Sequence, residues 1–325
     1  MDAMNKPLVL VTRRIAASAL DRIQANCTVR HWDDDAPLPR TELLELAAGV
    51  EGIYCLITDR IDAAVLDAAG PQLRVVSTMS VGYDHIDVAA CRAQGVAIGH
   101  TPGVLTETTA ELAVALLLAT ARRLPEAWQA VKTGAWGAWH PEWMTGVDLF
   151  GSTVGIVGLG RIGAAVAQRL AGFGCRLLYT GTAPKPAVAD PLGAHYVDFA
   201  TLLAESDFVT IHAPLHAATQ HLFDAAAFAQ MKRSAILINT SRGGVVDQEA
   251  LYTALTTGQI AAAGLDVTTP EPLPPDHPLL TLPNCVVLPH IGSASVATRT
   301  RMAVMAADNL VAGVTGQPLP NPVVT

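Results

Sequence analysis

A cluster of glycines midway along the chain limits the possible fold more than any other feature. Thr153 to Val157 reads as a short apolar strand that runs without a spacer into a turn and a helix, with glycines at 158, 160 and 163. This is the G-x-G-x-x-G spacing of a dinucleotide-binding βα turn. The first glycine allows the tight turn, the second lets backbone N–H groups approach a pyrophosphate, and the third lets helix and strand pack closely. Taken alone, the run also fits a tight strand–helix turn that binds nothing. The motif begins near the middle of 325 residues, which leaves room on each side for a domain of roughly 100–200 residues.

Apolar runs alternate with helical spacing from the start. Strands are expected at 8–11, 52–57, 74–78 and 96–98, with a helix at 16–24. A long helix at 106–123 leads into the glycine region. There, strands are expected at 153–157, 176–179, 208–212, 235–239, 261–267 and 285–288, with a helix at 162–171. Strands separated by helices imply βαβ units and parallel sheets. A final amphipathic helix, 295–312, must pack against the unpaired first domain. The expected division is therefore 1–102 plus 293–325, with 103–292 inserted as the dinucleotide-binding domain.

Half the residues are hydrophobic, 15% are charged and the net charge is -8. That balance excludes a disordered chain and argues against a nucleic-acid or anionic-membrane surface. The five cysteines stand singly, without metal-ligand or pairing pattern. No apolar signal core follows Lys6, and no apolar stretch reaches the ~20 residues of a membrane span. A cytoplasmic protein is expected. The histidines lack ligand spacing, so no metal is expected.

In such sheets the ligand lies beyond the carboxyl ends of the strands, with phosphate at a helix N-terminus. Gly160, Arg161 and Ile162 would supply the N–H donors. An acid ~20 residues past the fingerprint commonly accepts bonds from the ribose 2′-OH, but none occurs here before Asp190. Two hydroxyls and Lys185 would accept a 2′-phosphate, although Lys185 also fits a solvated surface residue. NADP(H) is the expected cofactor, with NAD(H) as the alternative.

Three polar groups follow three successive apolar strands: Arg242, Glu271 and His290. Singly, His290 reads as a satisfied buried histidine and Glu271 as a solvated loop acid. Together at one sheet edge they suit chemistry. A guanidinium fork matches a carboxylate. A carboxylate beside an imidazole orients the ring and favours its charged form, which gives the proton donor that a ketone needs as hydride arrives.

These residues resemble the NAD(P)-dependent D-2-hydroxyacid dehydrogenases, and within them the glyoxylate/hydroxypyruvate reductases. The likeness covers nearly the whole chain and rests on 78–85 (TMSVGYDH), 109–113 (TAELA), 158–163, 239–243, 264–267 and 289–294. It implies an α/β protein of two doubly wound parallel-sheet domains, a flavodoxin-like substrate domain and a Rossmann cofactor domain, with the active-site cleft between them. It implies that Val81 and Gly82 offer N–H groups to the substrate carboxylate, that Arg242 binds the carboxylate and polarises the carbonyl, and that His290, oriented by Glu271, donates the proton. Gly158, Gly160, Arg161, Ile162, Gly163, Pro214, Thr240, Asp266 and Gly292 would line the dinucleotide, with Thr182 and Lys185 at the adenosine 2′ position. A tryptophan of 136–143, here taken as Trp139, would reach the partner's substrate pocket in a homodimer; each of these tryptophans equally fits simple interface packing. The implied reaction is NADPH-dependent reduction of glyoxylate or hydroxypyruvate to glycolate or D-glycerate. A 2-ketogluconate or other 2-keto-acid reductase is an alternative, and a dinucleotide-sensing co-repressor is one from another class.

Overall fold

The computed structural model describes residues 6–324. The chain divides into two compact units, one made of the chain up to Leu105 and from Ala294 onward, the other of Thr106–Ser293. The first unit runs β1 (Leu8–Val11), α1 (Ala17–Asn26), β2 (Thr28–His31), α2 (Arg40–Ala47), β3 (Gly52–Cys55), α3 (Ala63–Ala69), β4 (Val75–Thr78), α4 (Val88–Ala93) and β5 (Ala97–Gly99). Its strands pair in parallel in the order β2-β1-β3-β4-β5.

The second unit opens with α5 (Thr106–Ala121) and α6 (Leu124–Lys132) and continues with β6 (Thr153–Val157), α7 (Arg161–Ala171), β7 (Arg176–Thr180), α8 (Pro186–Ala189), β8 (Ala194–Tyr196), α9 (Phe199–Glu205), β9 (Phe208–Ile211), α10 (Ala225–Gln230), β10 (Ile236–Asn239), α11 (Gln248–Thr256), β11 (Ala262–Leu265) and β12 (Cys285–Val287). Its seven strands, all parallel, lie in the order β12-β11-β10-β9-β6-β7-β8. The glycine-bearing β6 is central, where the strand order reverses. The last helix, α12 (Val296–Val314), belongs to the first unit, where it packs against α1, β3 and β4.

Central strands are apolar because helices cover both faces. Val9, Leu10, Val11, Val75 and Val76 are fully buried in the first unit, as are Val154, Ile156, Val209 and Ile211 in the second. Each such side chain contributes about 1.5–3 kcal/mol of burial. The outer strands β2, TVRH, mostly half-buried, and β8, AHY, with two of its three residues exposed, are not expected from the sequence. The expected helix 106–123 breaks early. Pro125 has no N–H to give the Ala121 carbonyl, which accepts instead from Val147 N–H at 3.0 Å, and Arg123 turns into left-handed backbone at φ 52°. A separate helix, α6, follows.

Two glycines of the fingerprint are required by packing and a third is not. Gly158 adopts φ +97°, and a Cβ on Gly163 would stand 2.2 Å from the Gly158 carbonyl oxygen, whereas one on Gly160 would meet no atom within 4 Å. Gly163→Ala should therefore cost at least about 2 kcal/mol in urea denaturation despite the better helix propensity of alanine. Gly160→Ala should cost under about 1 kcal/mol, the difference between these residues at an N-cap. Equal midpoints for the two variants would show that α7 does not need its close approach to β6.

Candidate active site

Parallel register sets the strand ends of the second unit level. Val157 stands beside Ile211, Ile211 beside Asn239, Asn239 beside Leu265 and Leu265 beside Val287. Gly158, Pro214, Thr240–Arg242, Asp266–Glu271 and His290 therefore all follow strands at one carboxyl edge.

The first part of that edge suits an anionic dinucleotide. Helices α3, α4, α9, α10 and α11 start on aspartates whose carboxylates accept the first N–H groups. Helix α7 starts instead on Gly160, with no side-chain cap. Its opening N–H groups thus lack a capping side chain, the space beside Gly160 is open, and the helix dipole there favours negative charge. Thr240 is buried beyond β10, and its hydroxyl has no hydrogen-bond partner in the protein. An orphaned hydroxyl after β10 and an uncapped glycine turn after β6, at the same carboxyl edge with β9 between them, fit the expected cofactor. Arg161 and Thr182 are exposed, Ile162 half-buried and Pro214 exposed. Lys185 is tied back: its N–H donates to the Tyr179 hydroxyl at 2.7 Å and its ammonium to the Leu159 carbonyl at 3.2 Å.

The second part carries the three polar residues. His290 Nδ1 lies 2.7 Å from Glu271 Oε2, while Glu271 Oε1 accepts the Thr268 N–H at 2.9 Å. An ionised carboxylate only accepts, so Nδ1 carries the proton of this bond. Burial pushes the Glu271 carboxyl upward. The His290 bond and charge, the Thr268 N–H and the nearby Arg242 outweigh it, and hold Glu271 below its usual range. Arg242 shares this field, and its Nη1 donates to the Ser241 carbonyl at 3.0 Å.

Two buried residues shape the turns that bear these groups. Asn239 is fully buried; its Oδ1 accepts Ser241 N–H at 3.0 Å and its Nδ2 donates to the Arg242 carbonyl at 2.9 Å. Asp266, 1% exposed, accepts the N–H groups of both Ile291 and Gly292 at 2.7 Å. His290 itself has φ 54°, a left-handed conformation that side chains other than glycine rarely adopt. Clamping the next two N–H groups holds that turn. Burial raises the Asp266 carboxyl, although both N–H bonds and the His290 charge oppose the rise. The sequence placed Asp266 only beside the cofactor; its hold on the His290 turn depends on a contact 25 residues away. A polar residue ending an otherwise apolar strand is the signal common to Asn239 and Asp266.

The segments of Val81, Gly82 and Trp139 behave differently. Val81 and Gly82 follow β4 in the first unit and are half-buried. Trp139 is 85% exposed, among the exposed Trp128, Trp136 and Phe150. Among the described residues, no group of three or more His, Cys, Asp or Glu is placed to hold a metal ion. No described helix is long and apolar enough to cross a membrane.

The lowered Glu271 carboxyl links the pair to stability. A carboxyl that titrates lower in the fold than in the unfolded chain stabilises above its unfolded pKa, and that contribution is lost as pH falls through the folded value. Glu271→Gln should therefore be less stable than wild type near neutrality, and the gap should close as pH is lowered through the carboxylate range. A gap independent of pH in urea titrations would show that the pair is not coupled.

Comparison with known proteins agrees with this geometry. Residues 114–292 match the family model of the D-isomer specific 2-hydroxyacid dehydrogenase NAD binding domain. A Homo sapiens protein named glyoxylate reductase/hydroxypyruvate reductase is 54% identical over 317 residues, covering 96% of each chain. A crystal structure of a Thermus thermophilus protein superposes with a TM-score of 0.91 at 49% identity, over 98% of this chain and all of the other. The NADPH-dependent glyoxylate/hydroxypyruvate reductase of Sinorhizobium meliloti, in complex with NADP and malonate, gives a TM-score of 0.86 at 36% identity, over 98% and 97% of the chains. With the fingerprint, the level strand ends and the Glu271–His290 pair in one unit, the chain belongs to the D-isomer specific 2-hydroxyacid dehydrogenases, nicotinamide-dinucleotide oxidoreductases.

Proposed function

We propose that this enzyme reduces glyoxylate or hydroxypyruvate to glycolate or D-glycerate with NADPH. The observation that carries the reading is the 2.7 Å bond between Glu271 and His290 Nδ1, beside Arg242 at the carboxyl edge of the sheet. The names of the human and Sinorhizobium relatives support the substrate.

When bound, the dinucleotide supplies the hydride. The residues of the chain do the rest. Arg242 offers its planar fork to the keto-acid carboxylate and draws electron density from the neighbouring carbonyl. Negative charge grows on the carbonyl oxygen as its carbon is reduced, and His290 Nε2–H delivers the proton there. Glu271, held below its usual range and bonded to Nδ1, keeps the ring oriented. The N–H groups of Val81 and Gly82 are assigned to the substrate carboxylate, and the opening N–H groups of α7 to the pyrophosphate. Asp266 and Gly292 act on the cofactor side through the turn they hold.

Support for NADPH comes from the second strand of the fingerprint. Strand β7 ends at Thr180 with no following carboxylate before Asp190, and Lys185 Nζ rests on the Leu159 carbonyl at the rim of the glycine turn. The Sinorhizobium relative in complex with NADP is consistent with this choice. The free thiols Cys27, Cys55, Cys91, Cys175 and Cys285 suit the reducing cytoplasm. A homodimer is proposed through α6 and residues 135–150, where Leu124, Trp128, Val131, Trp136, Trp139 and Phe150 are all more than half exposed. Trp139 then belongs to the surface that meets the partner.

Steady-state kinetics over a panel of 2-keto acids tests the substrate. Glyoxylate and hydroxypyruvate should lead in kcat/KM; preference for 2-ketogluconate would keep the chemistry and replace the substrate. Arg242→Lys should chiefly raise KM, and His290→Ala should slow reduction by ~10²-fold or more while dinucleotide affinity survives. Unchanged kcat/KM in either variant would remove that residue from the site.

Cofactor choice is tested separately. Wild type should favour NADPH over NADH in kcat/KM. Lys185→Ala should weaken NADPH alone, by about fivefold, and the loss should shrink in high salt, as screening requires for an interaction of ~1 kcal/mol. Equal use of both cofactors, unaffected by Lys185→Ala, would sink the NADPH assignment.

A further inference from the structure

The segment after β4 has an arrangement that the activity alone does not require. In a trans peptide the C=O of one residue and the N–H of the next point in opposite directions. The two peptide planes that carry the N–H groups of Val81 and Gly82 are therefore aimed by whatever holds the carbonyls of Ser80 and Val81. Two adjacent residues hold them. The backbone N–H of Thr101 donates to the Ser80 carbonyl at 2.8 Å, and His100 Nδ1 lies 2.9 Å from the Val81 carbonyl. A carbonyl only accepts, so His100 Nδ1 carries the proton. Among the described residues, neither the Val81 N–H nor the Gly82 N–H is used in a hydrogen bond within the unit.

The next plane is held as well. Ser80 Oγ donates to the Gly82 carbonyl at 2.6 Å; Thr78 Oγ1 stands 2.8 Å from Ser80 Oγ and 2.9 Å from His85 Nε2. Because the last acceptor is a carbonyl, polarity along this chain is fixed: His85 Nε2–H to Thr78, Thr78 to Ser80, Ser80 to Gly82. His100 is anchored in its turn. Its N–H donates to the Asn321 carbonyl at 3.1 Å, and its own carbonyl accepts from the buried Asn309 at 2.9 Å. Its ring and that of Tyr83 pack in a T-shaped pair with centroids 5.8 Å apart.

We propose that His100 is a positioning residue for substrate recognition: its Nδ1–H pins the Val81 carbonyl and so turns the Gly82 N–H toward the keto-acid carboxylate. The inference rests on the proposed reading of Val81 and Gly82 as carboxylate donors, and it adds the residue that aims one of them. His100 touches neither substrate nor cofactor in this role. Its contribution is to spare the loop a reorientation on binding, so it acts on affinity for the carboxylate and little on the chemical step.

The imidazole offers a test by the position of its donor. The amide nitrogen of asparagine falls near Nδ1 of a histidine, and that of glutamine near Nε2. His100→Asn, His100→Gln and His100→Leu are made in the full-length enzyme. Each is measured for kcat and KM with glyoxylate, for Ki of oxalate as a non-reacting carboxylate, and for NADPH Kd by fluorescence. Glutamine and leucine should raise KM and the oxalate Ki together by about tenfold, the scale of one lost hydrogen bond with a stranded carbonyl, leaving kcat and NADPH Kd within about twofold. Asparagine should restore KM and Ki to within about twofold of wild type. Should the glutamine variant fail to fold, asparagine against leucine carries the same comparison. Equal KM and Ki in all three variants, whether raised or not, would overturn the role of His100 while leaving the reductase reading intact. A wild type that reduces no 2-keto acid would overturn both.

Discussion

Parallel pairing in register is the constraint on which the site depends. In an antiparallel sheet neighbouring strands end on opposite edges, and Arg242, Glu271 and His290 could not leave adjacent strands on the same side. Here Val157, Ile211, Asn239, Leu265 and Val287 form one row across five strands. A slip of one residue in β12 would reverse its buried faces and carry His290 away from Glu271. The apolar pairs that fix the register are thus also what brings acid and base within 2.7 Å. Close packing behind the row comes from small residues, as at Gly163, where helix and turn leave no room for a methyl group.

Register delivers the residues to the edge but does not orient them. That task falls to buried side chains that bond backbone rather than substrate. Asp266 accepts two successive N–H groups and keeps His290 in a left-handed turn; Asn239 ties both sides of the Ser241–Arg242 turn. Burying a carboxylate is costly, and its raised pKa reflects that cost. Two N–H bonds to the charged form offset much of it. The left-handed turn at His290 is stable because the surrounding structure over-determines it.

How much of this was legible in the sequence follows from the range of each interaction. The fingerprint was legible because the turn, the uncapped helix start and the close approach all concern residues within six positions. Arg242, Glu271 and His290 were legible because each follows an apolar strand closely, and parallel topology then places them together. Strands β2 and β8 were not, since their few, half-exposed residues show neither an apolar run nor clean alternation. The break after Ala121 lay in plain view at Pro125, yet apolar spacing through 120 masked it. The holds exerted by Asp266 and His100 escaped because they join residues 25 and 19 positions apart. Composition and spacing carry no record of which carbonyl a side chain will meet.

The proposed chemistry sets an electrostatic problem: a chain of net charge -8 must attract a dinucleotide phosphate and a keto-acid carboxylate. In that reading the cationic side chains are Arg242 for the substrate, with Arg161 and Lys185 at the glycine turn. The remaining attraction comes from fixed backbone dipoles. Helix α7 presents uncapped N–H groups where five of the other helices place aspartate, and the loop after β4 has its carbonyls held so that N–H groups face the opposite way. Dipoles of this kind carry no net charge, so they do not repel the nicotinamide or draw nonspecific polyanions. They also need no reorganisation when the anion arrives. Discrimination between anions then rests on where the N–H groups point, which makes the residues behind them, more than those beside the ligand, the place where affinity for a short keto acid is set.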